Sequence, residues 1–167
     1  MDEIIIRHIP TPAGGMILGS IGDALCLSDW SLSHRRQSTD RRISHLLGST
    51  FRIGTSPVIE HAISELEEYF AGKRREFDIT LRLCGTEFQT RVWRALTCIP
   101  YGTTTTYAAL AASIGRSGSS RAVANAVGAN PVSIILPCHR VIGSDGSLTG
   151  YAGGLPAKRL LLSLETT

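Results

Sequence analysis

Hydrophobic positions along this chain change period from one stretch to the next, and those changes lay out its elements. From Ile4 to Trp30, apolar and β-branched residues are broken by Pro10-Thr11-Pro12, Gly14-Gly15, Gly19 and Gly22-Asp23. That is the punctuation of short antiparallel strands joined by hairpins. Cys26 and Trp30 lie on this sheet and are expected in its core. His34 to Arg42 is polar, charged and without period, so it reads as a surface loop or the frayed start of a helix. Arginines in the Arg35–Arg42 stretch are either solvated or set against a phosphate backbone. At Ser56-Pro57 the period becomes helical, with serine to cap and proline in the first turn. Ile59, Ile63, Leu66 and Phe70 form its apolar stripe, Glu65, Glu67 and Glu68 its wet side, and Gly72 its stop. Phe77, Ile79, Leu81 and Leu83 then alternate as a strand or an extended connector.

The second half is mostly helical. Thr86-Glu87-Phe88-Gln89 fits a capping box, and Phe88, Val92, Trp93 and Leu96 carry a helix to Cys98, ahead of Pro100. Cys98 is expected in the core. Thr106 can cap a second helix from Tyr107 through Ile114. Gly115-Arg116-Ser117-Gly118 breaks it, and Ser119 or Ser120 caps a third, from Arg121 to about Val127. Helix, glycine-containing turn and small-residue helix form a helix-turn-helix pattern, though alanine-rich helices also simply pack tightly. Ile134-Ile135-Leu136 is short, β-branched and bounded by Pro131 and Pro137, so it reads as a buried strand that Pro137 ends. Gly143-Ser144-Asp145-Gly146 is a turn. Gly150 to Gly154 is a flexible loop, and Pro156 opens a last helix buried through Leu160, Leu161 and Leu164. The fold class is therefore α+β. Residues 1–78 form a small N-terminal sheet-and-helix domain with its connector, and residues 79–167 a mostly helical C-terminal domain.

Composition changes this picture little: 167 residues, 43% hydrophobic and 19% charged, suit a globular chain with a sizeable core. No apolar run approaches a membrane span, and the acidic Met1-Asp2-Glu3 start does not resemble a signal peptide. Cys26, Cys84, Cys98 and Cys138 show neither disulfide nor zinc-ligand spacing, which favours a reducing, cytoplasmic setting. Charge matters more. Between Phe88 and Ser144 stand the five arginines Arg91, Arg94, Arg116, Arg121 and Arg140 and no acidic residue. A basic stretch free of acid is a footprint for a polyanion.

The candidate chemistry sits at Pro137-Cys138-His139-Arg140-Val141. Cysteine attacks as its thiolate, and at a reference pKa of about 8.5 little is thiolate at neutral pH. Something nearby must take the proton. His139 is adjacent, but neighbours on an extended segment point apart, so a water or a turn would have to bridge them. Glu165 lies near the end of the last helix, where a carboxylate opposes the helix dipole. That placement calls for a partner, and His139 is the natural one. Without further context the pair reads equally as a core cysteine beside a structural histidine.

Pro137-Cys138-His139-Arg140-Val141, with Arg121-Ala122-Val123 before it, Tyr151-Ala152-Gly153-Gly154 after it and Glu165 at the end, resembles the O6-alkylguanine–DNA alkyltransferases. The resemblance runs from about Gly85 to Glu165, and Tyr69-Phe70-Ala71-Gly72 extends it in pieces toward the N-terminus. It implies a single-use DNA repair protein that moves an alkyl group from O6 of guanine, with O4-alkylthymine as a further substrate, onto Cys138. His139 would act as base through a water, Glu165 would orient the imidazole, Asn130 would brace the active-site turn, and Tyr107 would donate to the departing guanine. Pro137, Val141, Tyr151, Ala152 and Gly153 would line the substrate pocket. Arg121 would fill the gap left by a flipped nucleotide, with Ser120, Ala122, Ala124, Thr103 and Tyr107 also on the DNA side. The implied partner is double-stranded DNA gripped through its minor groove by a monomer able to assemble cooperatively. No cofactor is implied.

Ala124 and Val127 depart from the family pattern, which often has glycine or another small or polar residue there. Cys26 and His8 are too few for the zinc site some members carry in the N-terminal domain, so no metal is expected. Two other functions compete: a non-catalytic binder of alkylated DNA that recruits other repair factors, and a cysteine hydrolase that turns over.

Overall fold

The computed structural model of the chain describes residues 2–167. As the breaks predict, β1 (Ile4–Ile9), β2 (Met16–Ile21) and β3 (Ala24–Trp30) form an antiparallel meander, and β4 (Phe51–Ile53) joins β1 in parallel. The order is β3-β2-β1-β4, so β3 lies at one edge. Gly19 marks a register shift against β3, where a Cβ would stand 2.9 Å from Leu27 Cβ. Cys26 and Trp30 are buried, as expected.

Of the two readings of the charged stretch after Trp30, loop or helix start, the second holds from Arg36 onward. The stretch is the start of α1 (Arg36–Leu47), with no side-chain cap. Its arginine-rich first turns are held from outside the helix: Arg36 Nη1 donates to the buried Asp29 Oδ2 at 2.5 Å and pairs with Asp40 one turn on. Only Thr39 and Ile43 of this helix are buried, so the hydrophobic pattern is too thin to show a period.

In α2 (Pro57–Phe70), Ser56 Oγ accepts from the Ile59 N–H as predicted. Glu65 departs from expectation, because it faces inward and is buried. Its carboxylate accepts from the Asp78 N–H at 2.8 Å and pairs with His61 and Arg74, which folds the connector back on the helix. The connector then runs extended along β3. Leu25 donates to Thr80 O at 2.8 Å and Arg82 donates to Leu25 O at 2.9 Å. Those bonds cover part of an otherwise open sheet edge.

α3 (Glu87–Leu96) carries the full capping box on Thr86 and Gln89. It stops at Leu96, and Cys98 is exposed rather than buried, since the chain already turns toward Pro100 there. β5 (Thr105–Thr106) pairs in parallel with β6 (Val141–Ile142). Thr106 caps α4 (Tyr107–Ser113), and a turn with positive φ at Gly115 and Gly118 leads to α5 (Ser120–Gly128). Ser119 occupies the cap position of α5, but its side chain makes no capping bond. In α6 (Leu155–Glu165) the buried face is Ala157, Lys158, Leu161 and Glu165, while Leu160 is largely outside it at 36% exposure.

One cluster of buried side chains runs from Met16, Leu18 and Leu25 through Leu66 and Tyr69 to Trp93, Val123 and Leu161, across residue 78. A smaller one, with Ile17, Cys26, Leu27, Ile43 and Cys84, fills the space under α1. Among the described residues no helix is long and apolar enough to cross a membrane.

Candidate active site

The segment before Cys138 is a turn, not the strand its β-branched residues suggest. Ile134 has φ 73°, left-handed backbone that β-branched side chains rarely adopt. Such strain costs on the order of 1–3 kcal/mol and persists where the surroundings over-determine it. Here they do. Asn130 Nδ2 donates to Leu136 O at 3.0 Å and its Oδ1 accepts from the Val132 N–H at 2.9 Å, so one amide closes the turn. From the other side β3 grips it. The Ser28 N–H donates to Pro131 O at 2.9 Å, the Ser133 N–H to Ser28 O at 2.6 Å, and Ser28 Oγ to Ser133 O at 3.1 Å. Ile134 and Leu136 are buried because they fill the core beneath the turn.

Cys138 opens a single 3₁₀ turn, Cys138–Arg140, behind Pro137. Its thiol is 6% exposed and sits in a pocket of about 40 Å³ with Tyr107, Ala124, Val127, Asn130, Ser133 and Tyr151 among its walls. Burial pushes the thiol pKa up, while hydrogen bonding to Asn130 and Ser133 and the charge of Lys158 pull it down. Burial prevails, so the resting group is the thiol. A larger groove of about 500 Å³ lies behind the turn, lined by Phe77, Tyr101, Ile134, Pro137 and Arg140 among others. Cys138 does not face it, so thiol chemistry belongs to the small pocket.

The 3₁₀ turn sends His139 inward. Its ring is wholly buried, and Nε2 lies 2.7 Å from Glu165 Oε2. With the carboxylate ionised, Nε2 carries the proton and Nδ1 is the bare acceptor. Nδ1 has no protein partner among the described residues. Burial pushes the imidazole pKa down, against the opposite pull of Glu165.

Glu165 collects more than His139. Arg140 Nε donates to Oε1 at 2.8 Å and Nη2 to Oε2 at 3.0 Å, and Tyr69 Oη donates to Oε2 at 2.6 Å. Burial alone would raise its pKa, but bonds from His139, Arg140 and Tyr69 hold it down at about 2. Arg140 is fixed in turn by Ile99 O at 2.7 Å and by the Tyr101 ring at 5.7 Å. Lys158, 1% exposed, donates from Nζ to Val141 O at 2.7 Å and reaches Thr149 O at 3.4 Å. It ties β6 to the loop that borders the pocket.

The other residues singled out from the sequence fall into distinct places. Tyr107 Oη lies 2.7 Å from Thr149 Oγ1 across the pocket mouth. Tyr151 and Ala152 line the pocket and Ala124 enters it from α5. Pro137 and Val141 are buried behind the cysteine. Gly153 supports the loop: a Cβ there would meet the Trp30 ring at 2.6 Å, and Tyr151 packs edge-on against the same ring at 5.8 Å. Arg121 and Ala122 are exposed at the start of α5 and Ser120 is half-buried. Thr103 is exposed, and its hydroxyl donates to Pro100 O. Among the described residues no group of three or more His, Cys, Asp or Glu side chains is placed to hold a metal ion.

Sequence reasoning missed Tyr69, Lys158, Ser133 and the supporting role of Trp30. Lys158 did leave a signal, since it shares the apolar face of α6 with Leu161 and Glu165. Tyr69 left none beyond a helical apolar position, where a ring is ordinary core.

Similarity to known proteins runs along nearly the whole chain. Residues 87–167 match the family 6-O-methylguanine DNA methyltransferase, DNA binding domain. A Mycobacterium leprae protein named methylated-DNA–protein-cysteine methyltransferase is 43% identical over 162 residues, 95% of this chain and 90% of that one. The crystal structure of Mycobacterium tuberculosis OGT in complex with DNA is 42% identical and covers 97% of this chain and 92% of that one, with a TM-score of 0.83. A Pyrococcus kodakaraensis O6-methylguanine-DNA methyltransferase, 23% identical, covers 98% of this chain and 99% of that one at a TM-score of 0.71 and shares the fold.

Proposed function

The chain belongs to the O6-alkylguanine–DNA alkyltransferase family and is a methylated-DNA–protein-cysteine methyltransferase, and from that premise we propose how its residues carry the transfer. Cys138 takes the alkyl group in one displacement: the S–C bond forms as the O6–C bond breaks, and guanine leaves. The thiol proton passes through a water to His139 Nδ1, which is buried and without a protein partner among the described residues. Glu165 fixes the imidazole through Nε2 and stabilises the cation that forms. The displaced guanine carries negative charge toward its ring, and Tyr107 donates to it once its bond to Thr149 is released.

The loop from Gly150 to Ala152 walls the pocket that the base enters. A base inside a duplex reaches the pocket only after flipping, which costs a few kcal/mol. Arg121, exposed at the start of α5, occupies the vacated stack from the minor-groove side.

One observation carries this reading: a buried thiol follows a braced turn and adjoins a histidine whose far nitrogen is locked on a carboxylate. A thioether is not hydrolysed under ordinary conditions, so product stops at one equivalent per protein. Intact-protein mass after incubation with an O6-methylguanine duplex tests it. Wild type should gain one methyl in place of one hydrogen, and Cys138→Ser should gain nothing while still binding the duplex. Turnover past one equivalent, or an unmodified Cys138, would overturn the assignment.

A further inference from the structure

The residue that touches the catalytic carboxylate from farthest away in the chain is Tyr69, on α2 in the N-terminal half. It lies outside the 87–167 stretch that matches the DNA-binding family. Its ring is fully buried, and its hydroxyl donates to Glu165 Oε2 at 2.6 Å, the oxygen that His139 Nε2 meets at 2.7 Å. We propose that Tyr69 is a positioning residue for alkyl transfer: by sharing Oε2 with His139, its hydroxyl sets how strongly Glu165 pulls on the imidazole. This inference rests on the alkyl-transfer reading above and adds to it a contribution from the N-terminal half.

The physical reason is competition for one oxygen. A carboxylate oxygen has two lone-pair sites, and Oε2 already faces Tyr69, His139 and Arg140 Nη2 at 3.0 Å. Each donor draws negative charge from it, and less charge is left to favour a proton on His139. Tyr69 stays a neutral donor whether or not His139 is protonated, since burial foremost, and then Glu165, push its phenol pKa upward. The ring is packed to stay put. Phe70 stands edge-on at 5.3 Å, Tyr101 at 6.3 Å and Phe77 tilted at 5.5 Å.

The other groups facing the pair act in known directions. Arg140 and Lys158 both disfavour a second cation at His139, and Glu165 favours it. Tyr101 adjoins Tyr69, and its own hydroxyl reaches Leu164 O at 3.5 Å. Cys138 is the proton donor in the reaction. Removing the Tyr69 hydroxyl leaves all of these in place and releases one claim on Oε2. The imidazole should then hold a proton to higher pH.

Tyr69→Phe in the full-length protein tests this with two readouts. Nitrogen NMR of isotope-labelled histidine gives the His139 titration midpoint. Single-turnover transfer from free O6-benzylguanine, where no base flips, gives the acid limb of the pH–rate profile. Both should move up together, by about half a pH unit or more. A lower melting temperature with both midpoints unmoved would make Tyr69 a packing residue only and overturn the proposal. So would a downward shift. If the variant does not fold, a difluorinated tyrosine at position 69 keeps the shape and strengthens the donor. The midpoints should then move down, and unmoved midpoints would again overturn it. Failure of wild type to take methyl from an O6-methylguanine duplex would sink the alkyl-transfer reading, while the NMR midpoint would still decide the Tyr69 claim.

Discussion

Arg140→Met isolates the energetics of the buried cluster. The arginine is 6% exposed and Glu165 5%, so the pair is little screened by solvent. The substitution keeps an unbranched apolar stem of similar reach and removes the bonds to Oε1, Oε2 and Ile99 O together with the cation over Tyr101. What remains is a buried carboxylate with only His139 and Tyr69 as donors. Breaking a buried ion pair by deleting one partner costs about 3–5 kcal/mol. At about 2–4 °C per kcal/mol for a chain of this size, the melting temperature should fall by roughly 6–20 °C. Chemical denaturation at several pH values is the assay. Glu165 is held at about 2 in the native protein, and without Arg140 its pKa rises. Protonation then relieves the buried charge at a higher pH than in wild type, so the deficit should shrink as pH falls. Arg140→Met with Glu165→Gln should regain at least half of the loss at neutral pH. A deficit under about 1 kcal/mol, the scale of an exposed pair, would refute this account. A double variant no better than the single one would refute it too.

Arg121→Ala should slow repair of duplex O6-methylguanine by the equivalent of a few kcal/mol in barrier, the scale of unstacking a base, and leave transfer from free O6-benzylguanine nearly unchanged; equal slowing on both would remove Arg121 from the flipping role. Gly153→Ala drives a methyl into the Trp30 ring, so unfolding experiments should show a loss of about 1–3 kcal/mol, and an unchanged stability would mean the loop has room to shift. Wild-type stability should rise with pH on the acid side. Glu165, depressed to about 2, contributes stability that is present above its unfolded pKa and lost as pH falls toward 2, and His139, lowered by burial, adds a second loss below its unfolded value of about 6.5. A Glu165→Gln variant that kept the full acid dependence would contradict the first contribution.

Much of the fold was legible because local rules and tertiary packing agree. Glycine and proline breaks located the meander, Ser56 and Thr86 located two helix starts, and Gly115 to Gly118 located the turn before α5. The site residues could be named because the resemblance quoted them as a set. Failures came where a distant partner overrides a local preference. Ile134 to Leu136 has strand residues, yet Asn130 and Ser28 fold it into a turn. Glu65 reads as wet until the Asp78 N–H is brought against it. The Arg35–Arg42 stretch, by contrast, stays open between loop and helix start because it has too few apolar positions to show a period, and Asp29 on β3 anchors the helix.

The grip of β3 on the turn before Cys138 gives that turn a second task at the edge of the sheet. β3 is an edge strand, and its free side is occupied by Thr80 to Arg82 at one end and by Pro131 to Ser133 at the other. The second cover is the segment that carries Asn130 and Ser133, both against the thiol. These two side chains, which wall the sulfur, therefore belong to the same segment that covers the strand edge. An uncovered edge is a template for pairing with another chain. The wall of the thiol pocket and the closure of the sheet edge are thereby one segment, so a substitution that loosens Asn130 or Ser133 bears on both.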